Sequence, residues 1–220
     1  MFFINKEHMN FNFNNSFCIS LETSMERWNK IQQRFQIMDL QVSKWKAYTP
    51  DTIFDNFAGY LNPGQKSCSQ SHISIWRHIV EKQLDYALVL EDDACFDLLW
   101  MDKLNSFQPP QDWHMIVLNC SEPIQPVFSW ECIREQYLTG GYVLSLQGAK
   151  QLLQMFSGYF HASDWMTVKL QEYGKSYSYF PWLIIQEGNE TTIGSGVDAD
   201  HQKVLRCLGE INYDLNNYII

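Results

Sequence analysis

The sequence contains few basic residues. It has 16 lysines and arginines against 25 aspartates and glutamates, which gives a formal net charge of −9. Proteins that bind the phosphate backbone of nucleic acids need a basic surface, so this charge balance argues against a general nucleic-acid partner. A nucleotide ligand remains compatible with it, because a metal ion can screen the phosphates.

The sequence also has no Cys-x-x-Cys pair and no long apolar run. Its six cysteines are scattered, and several lie within apolar segments, where a free thiol behaves as a small hydrophobic side chain. A structural zinc site is therefore not expected. No run approaches the roughly 20 apolar residues of a transmembrane helix, and residues 1–8 lack the pattern of a secretory signal. We expect reduced cysteines and a cytoplasmic location.

The overall composition is that of a globular protein. Hydrophobic residues make up 45% of the 220 residues and charged residues 19%, which is enough apolar surface for one core. We expect a single domain over residues 1–220, with its core in 15–195 and a C-terminal tail in 196–220. Strand-like segments alternate with helical ones, which predicts an α/β fold with a mostly parallel central sheet flanked by helices.

Local signals predict where the first helices begin. Thr23–Glu26 and Ser67–Gln70 have the spacing of a capping box, and each precedes apolar residues at helical spacing. Asn62-Pro63-Gly64 is typical of a turn. Apart from a short strand at 115–118, the stretch 109–138 is irregular, which favours a binding loop.

The most informative segment is an apolar run that ends in three acids. Residues 86–90 read Tyr-Ala-Leu-Val-Leu and are followed by Glu91, Asp92 and Asp93. The short apolar run predicts a strand buried on both faces, and ligands bind beyond the carboxyl ends of such strands. Without a basic neighbour, the three carboxylates repel one another unless a cation joins them. We therefore predict a hard divalent ion, Mn²⁺ or Mg²⁺, at this acid triplet. The alternative is a solvated acidic loop.

Four segments together resemble glycosyltransferase family 25. Phe17-Cys18-Ile19-Ser20-Leu21 with Arg27 is similar to the family's opening strand and arginine, and the acid-tipped strand at 86–93 is similar to its acidic strand end. The other two segments are Leu61–Gln65 with Cys68, Ser71, His72 and Trp76, and Gly141–Ser145 with Gly148, Ala149, Lys150, Leu152 and Leu153. The order and spacing of the segments, within residues 15–195, carry the resemblance.

The resemblance implies a GT-A-like fold, a UDP-sugar donor, Mn²⁺ and inversion at the anomeric carbon. The family includes lipooligosaccharide galactosyltransferases and collagen hydroxylysine galactosyltransferases. The implied reaction therefore transfers a hexose to a glycan or to a hydroxylated side chain, and galactose is the hexose that the resemblance favours. UDP-glucose remains an alternative donor, because it differs from UDP-galactose in the configuration of one hydroxyl.

The resemblance also implies roles for individual residues. Glu91 and Asp93 would bind the metal that bridges the departing diphosphate, and Asp92 would contact the nucleotide ribose or the metal. Arg27 would contact a phosphate, and His72 would line the site. The alternatives are a solvated charge for Asp92 and Arg27 and a structural histidine for His72.

Inversion requires a carboxylate base for the acceptor hydroxyl. Asp164, in the segment His-Ala-Ser-Asp-Trp, resembles the family's lone aspartate after the second-half helix and is predicted to be this base. Its alternative role is that of an acid in the first turn of a helix, where the helix dipole favours a negative charge. Glu187 and Glu190 are weaker candidates.

Other functions stay open from the sequence. A catalytically inactive carbohydrate- or nucleotide-binding module of the same fold would bind the donor without transferring sugar. A metal-dependent phosphohydrolase would release phosphate without an acceptor, although the sequence lacks a clear second metal cluster. His201, near Asp198 and Asp200, either completes a metal site or belongs to a polar turn. Gly140-Gly141 either admits an acceptor close to the backbone or shapes a tight loop.

Overall fold

The computed structural model describes residues 10–188 and 198–220, without the side chains of 198–201. Its strands are β1 (Ser16–Ser20), β2 (Ser43–Lys46), β3 (Tyr86–Glu91), β4 (Ala94–Asp97), β5 (Met115–Val117), β6 (Ser129–Cys132), β7 (Gly141–Ser145), β8 (Ser176–Phe180), β9 (Ile184–Gln186) and β10 (Tyr218–Ile219). Its α-helices are α1 (Met25–Ile37), α2 (Pro63–Glu81), α3 (Trp100–Asn105), α4 (Leu146–Met155), α5 (Ser163–Gln171) and α6 (Asp198–Glu210).

The described strands form two sheets. The central sheet has seven strands in the order β2-β1-β3-β7-β5-β8-β6, and a small sheet has the order β10-β4-β9. In the central sheet, β1 is parallel to β2 and β3, and β5 is parallel to β8, whereas β7 and β6 run antiparallel to their neighbours. Most of its strands therefore point the same way, and the predicted α/β fold with a mostly parallel sheet flanked by helices is confirmed.

The strand that carries the acid triplet is buried on both faces, as its sequence predicts. Ala87 and Val89 pack into the core cluster that contains residues of α2, α4 and α5. Leu88 and Leu90 point to the opposite face, into a cluster with residues of α1 and α3. Successive side chains of a strand alternate between its faces, so a strand buried on both faces must be apolar throughout. The first polar residue therefore marks the carboxyl end of the strand.

The first predicted helix start lies within one residue of the observed one, although without the predicted capping bond, and the second is wrong. Helix α1 begins at Met25, and its N-cap Ser24 makes no side-chain capping bond. Helix α2 begins at Pro63, with a capping box between Asn62 and Gln65. Asn62-Pro63-Gly64 is therefore a helix start and not a free turn, because proline fits the first helical position, where its missing N–H costs nothing. The irregular stretch also contains a strand that the sequence did not reveal, β6.

The C-terminal segment packs on the rest of the chain. Val204, Cys207 and Leu208 of α6 belong to the core cluster with α2, α4 and α5, and β10 pairs with β4. No helix among the described residues is both long and apolar enough to cross a membrane. All six cysteines are free thiols.

A buried ion pair between Asp97 of β4 and Lys103 of α3 contacts this segment through Tyr213. The Asp97 carboxylate is fully buried and accepts hydrogen bonds from the Leu99 N–H (2.8 Å), the Lys103 ammonium (2.7 Å) and the Tyr213 hydroxyl. The Lys103 ammonium also lies 4.8 Å from the centroid of the Tyr213 ring. Burial of a carboxylate is tolerated only where such partners compensate for the lost hydration.

We expect Lys103→Met to lower the free energy of unfolding by about 3–5 kcal/mol, because it leaves the Asp97 charge buried without its cation. Urea denaturation measures the change. The matched control is Lys175→Met, which removes the exposed pair with Asp112 and should leave the free energy of unfolding nearly unchanged, because solvent screens exposed pairs. Equal losses in the two variants would contradict the assignment of a buried pair.

Candidate functional site

The acid triplet lies at the carboxyl end of β3, in a cleft of about 710 Å³. Glu91 is the last residue of β3, and Asp92 and Asp93 form the turn into β4. Strand β4 pairs with β9 so that Ala94 lies opposite Gln186. This register places Gln186 beside the triplet although it is 95 residues distant from Glu91 in the chain.

Arg27 of α1 lies against the two aspartates. One of its terminal nitrogens, Nη2, is 2.5 Å from Asp92 Oδ1 and 3.2 Å from Asp93 Oδ2. The premise from the sequence that the triplet lacks a basic neighbour is therefore wrong. Arg27 is an ion-pair partner of the triplet and not a solvated surface charge. Burial raises the pKa of Asp92, and the Arg27 guanidinium opposes this increase.

His72 is fully buried behind Glu91 and is not among the described residues that line the cleft. Its Nε2 is 3.0 Å from Glu91 Oε1, and its Nδ1 is 2.9 Å from the Tyr142 hydroxyl. The Trp76 indole N–H donates to the same hydroxyl (2.9 Å). Because the indole can only donate, the Tyr142 O–H is left to donate to His72 Nδ1, and His72 Nε2–H then donates to Glu91.

These contacts form a hydrogen-bond relay from Trp76 through Tyr142 and His72 to Glu91. The Thr139 hydroxyl donates to the same Glu91 oxygen at 3.1 Å. Burial alone would raise the pKa of Glu91, but its hydrogen bonds, the one from His72 first and the one from Thr139 after it, together with the Arg27 charge outweigh burial and lower it. Glu91 is thereby held as an ionised acceptor with a fixed orientation.

We expect Tyr142→Phe to lower the free energy of unfolding by about 1–3 kcal/mol, because the buried Trp76 N–H and His72 Nδ1 lose their partner. Urea denaturation measures the loss. Tyr173→Phe removes an exposed hydroxyl that bonds Gln151 and serves as the control, with a change within about 0.5 kcal/mol. An unchanged free energy of unfolding in Tyr142→Phe would show that the relay is not formed.

Cys68, His72 and Glu91 form a cluster of another kind. One ligand atom from each lies within 4.8 Å of the others, a combination that could hold a metal ion. The relay, however, directs the Nε2–H of His72 at Glu91, so this nitrogen has no lone pair for a metal. Burial also raises the pKa of the Cys68 thiol well above its usual range, which disfavours the thiolate that metals bind.

Gln186 joins the two carboxylates that were predicted to hold a metal. Its side-chain Nε2 is 3.5 Å from Glu91 Oε2 and 3.4 Å from each Asp93 oxygen. A Cβ at Gly140 would lie 2.9 Å from the side chain of Gln186 and 3.0 Å from that of Asn119. Glycine at position 140 thus leaves the space that Gln186 needs to approach the triplet.

The residues fit a hard divalent ion. Burial and the adjacent Glu91 carboxylate raise the pKa of Asp93 to about 7, against the opposing effect of Arg27. Two carboxylates that disfavour each other's ionisation are relieved by a cation between them. Carboxylate oxygens, together with the amide oxygen of Gln186 if its side chain turns over, are ligands that Mn²⁺ and Mg²⁺ take.

The pKa of Asp93 makes a pH dependence measurable. Below pH 7 a metal must displace the Asp93 proton, so the apparent Mn²⁺ affinity of the wild type should rise about tenfold between pH 6 and pH 8. Calorimetric titration of the protein with Mn²⁺ at several pH values measures it. In Asp93→Asn the apparent Mn²⁺ affinity should not increase between pH 6 and pH 8. An increase equal to that of the wild type would exclude the Asp93 carboxyl as the group that titrates.

The cleft also presents N–H donors that have no partner. Among the described residues, the buried Arg27 Nε and Asn119 Nδ2 make no hydrogen bond, and both residues line the cleft. Buried donors without partners are uncommon in proteins. In this position they suit an oxygen-rich ligand such as a diphosphate. The sequence predicted a phosphate contact for Arg27, but it gave no sign of one for Asn119.

Asp164 lines the same cleft from the start of α5. Its Oδ1 accepts a hydrogen bond from the Trp165 N–H at 2.7 Å. Burial raises the pKa of Asp164, the Trp165 bond opposes the increase, and the Glu91 charge adds to it. The structure thus brings Asp164 together with the triplet, although 71 residues separate it from Asp93 in the chain.

Of the two weaker base candidates, the structure describes Glu187. Its carboxylate forms ion pairs with Lys30 and with Arg34 of α1 (2.6 Å to Arg34), and Glu187 is not among the described residues that line the cleft. Glu190 lies outside the described residues. Asp198, Asp200 and His201 are at the start of α6, and their side chains lie outside the described part of the structure.

The fold and the cleft define an α/β protein with acidic side chains and unpaired N–H donors at the carboxyl end of a central strand. Residues 13–129, more than half of the chain, match the sequence profile of glycosyltransferase family 25 (LPS biosynthesis protein). The chain belongs to this family, and the predicted resemblance is confirmed. The matched residues include Arg27, His72 and the triplet but not Asp164 or Gln186.

Several animal proteins are similar to this chain. Human procollagen galactosyltransferase 2 is 26% identical over 171 residues, which cover 64% of this chain and 27% of the human protein. Procollagen galactosyltransferase 1 of Danio rerio is 35% identical over 107 residues, 43% of this chain and 18% of that protein. The chain thus matches about a quarter or less of the length of these relatives.

A solved structure of a glycosyltransferase involved in the glycosylation of the major capsid of PBCV-1 also aligns with the chain. The alignment covers 87% of this chain and 98% of that one, with 7% identity and a TM-score of 0.38. The family assignment rests on the sequence matches.

Proposed function

We propose that this protein is a metal-assisted, inverting hexosyltransferase of GT-A-like fold that transfers galactose from UDP-galactose to a hydroxyl of a glycan or a hydroxylated side chain. One observation carries the proposal: Asp164 comes from a part of the chain distant from Glu91 and Asp93, yet all three residues line one cleft. The names of the relatives, procollagen galactosyltransferases, support galactose as the hexose.

The donor side of the site is the triplet with Arg27 and Asn119. Glu91 and Asp93 would hold Mn²⁺ or Mg²⁺, which would stabilise the negative charge of the departing diphosphate. The unpaired Arg27 Nε and Asn119 Nδ2 would donate to phosphate oxygens. Asp92, paired with Arg27, would contact the ribose or hold the guanidinium in place.

The acceptor side of the site is Asp164. Its carboxylate would take the proton of the acceptor hydroxyl while the acceptor oxygen bonds to the anomeric carbon and the bond from that carbon to UDP breaks. The raised pKa of Asp164 suits this role, because a base is most effective when its pKa is close to the working pH. Attack opposite the leaving group inverts the anomeric configuration.

A panel of nucleotide sugars tests the proposal. UDP-galactose should bind more tightly than GDP- or CMP-sugars, and a chelator should weaken its binding. An inactive binding module would bind UDP-galactose without consuming it when acceptors are present. A phosphohydrolase would release inorganic phosphate from UDP-galactose without any acceptor, and either result would replace the transferase proposal.

A further inference from the structure

Exposed aromatic side chains gather next to Ala162–Asp164, beside the cleft and not among the described residues that line it. Tyr60 and Tyr159 are 69% and 52% exposed. Their ring centroids lie 6.0 and 5.5 Å from that of His161, and the His161 ring is 4.4 Å from the ring of Trp165. Grouped exposed apolar surface on a soluble protein commonly marks a binding site.

Two loops hold these rings in place. Phe57 and Phe160 form a parallel β-bridge, in which the Ala58 N–H donates to the Phe160 carbonyl and the Phe160 N–H to the Asn56 carbonyl, both at 2.9 Å. The Tyr60 hydroxyl is 2.9 Å from His161 Nδ1. Backbone bonds thus fix the two loops to each other, which reduces the entropy lost when a ligand binds.

The aromatic group is continuous with the proposed acceptor side of the cleft. His161 is followed in the chain by Ala162, Ser163 and Asp164, which line the cleft. Burial raises the pKa of Tyr60, and Tyr159 and Asp164 add to the increase, as expected where the three groups are neighbours. A ligand that covers Tyr60 and Tyr159 would therefore extend towards the Asp164 carboxylate.

The chemistry of this surface favours a neutral, hydroxylated ligand. Asp164 is the carboxylate next to it, and the Trp165 N–H already bonds one of its oxygens. The Lys169 ammonium lies over the Trp165 ring, 5.3 Å from its centroid. Tyrosine and histidine rings offer apolar faces to C–H groups and polar edges to hydroxyls, and a pyranose ring has a C–H face and a rim of hydroxyls.

We propose that Tyr60, Tyr159 and His161 form a subsite that binds a pyranose ring of a saccharide acceptor and directs one of its hydroxyls to Asp164. This inference rests on the proposed transferase function and makes the acceptor a sugar, in preference to a hydroxylated amino-acid side chain. Tyr60 and Tyr159 would contact the C–H face of the ring, and His161 would bond a hydroxyl while it orients Tyr60.

Saturation-transfer NMR with methyl β-glucopyranoside as the probe tests this subsite on the full chain. The wild type should transfer saturation to the C–H protons of the probe. Tyr60→Ala and Tyr159→Ala should each weaken probe binding roughly two- to tenfold, the effect of losing one aromatic contact. Tyr60→Phe keeps the ring and should retain most of the binding.

The matched control is Tyr173→Ala, because Tyr173 (50%) is about as exposed as Tyr159 (52%) and bonds Gln151, and neither is among the described residues that line the cleft. It should bind the probe as the wild type does. Unchanged probe binding in both Tyr60→Ala and Tyr159→Ala would overturn the subsite. Binding of a lysine amide in place of the pyranoside, lost in the same variants, would also overturn it.

Donor binding separates this inference from the proposed function. Calorimetry with UDP and Mn²⁺ should give the same affinity for the wild type, Tyr60→Ala and Tyr159→Ala. If UDP does not bind the wild type, the transferase proposal fails, and the pyranoside titration without nucleotide still decides the subsite. If UDP binds and the pyranoside does not, the subsite alone is wrong.

Discussion

Asp164→Asn should leave UDP-galactose affinity nearly unchanged and reduce the rate of transfer by a factor on the order of 10²–10⁴, the usual contribution of a positioned general base. The asparagine keeps the shape of the side chain and can still accept the Trp165 N–H bond, but it cannot take the acceptor proton. Calorimetry measures donor binding, and UDP release in the presence of acceptor measures transfer.

The control for this variant is Asp102→Asn, which changes another acid in the first turn of a helix. Loss of first-turn charge costs about 0.3–1 kcal/mol of stability, so both variants should remain folded and only Asp164→Asn should lose activity. Transfer at the wild-type rate would remove Asp164 from the mechanism. Loss of donor binding would place Asp164 in the nucleotide site instead.

Asp93→Asn should weaken UDP-galactose binding in the presence of Mn²⁺ by about 10- to 100-fold or more. Removal of a group that only orients a metal ligand already lowers metal affinity by about this factor, and Asp93 is predicted to be a ligand itself. Removal of the Asp93 carboxylate leaves Glu91 as the remaining predicted carboxylate ligand. Calorimetry with UDP-galactose, with and without Mn²⁺, measures the change.

The exposed Asp112, which pairs with Lys175, supplies the control variant Asp112→Asn, and its donor affinity should equal that of the wild type. Unchanged donor affinity in Asp93→Asn, or a wild type that is insensitive to chelator, would exclude the metal site at the triplet. A fall in affinity without Mn²⁺ as well would place Asp93 in direct contact with the nucleotide.

The strand and its acids were predictable because their signal is local. An apolar run buried on both faces must end where polar residues begin, and Glu91 marks that end. The start of α2 was missed for the opposite reason. Serine, threonine and glutamine occur at capping-box spacing by chance, whereas Asn62 with Pro63 supplies both the cap and a proline that suits the first helical turn.

The neighbours of the triplet were not predictable from local sequence. Gln186 reaches Glu91 and Asp93 only because β9 pairs with β4 in one register, and strand register depends on the packing of the whole fold. Arg27 has no sequence signal that directs it to Asp92 and Asp93, because its side chain crosses from α1 to the end of β3. The resemblance to the family marked His72, but its burial and its bonds to Tyr142 and Glu91 depend on how α2, β3 and β7 pack in the fold.

The most direct test is NMR analysis of the reaction with UDP-galactose labelled with ¹³C at the anomeric carbon, in the presence of Mn²⁺ and methyl β-glucopyranoside or a hydroxylysine peptide. The donor is an α-glycoside, so inversion predicts a new β-galactoside formed in equal amount with UDP. The account would be contradicted by an α-galactoside, by phosphate release without a new glycoside, or by an unconsumed donor with both acceptors.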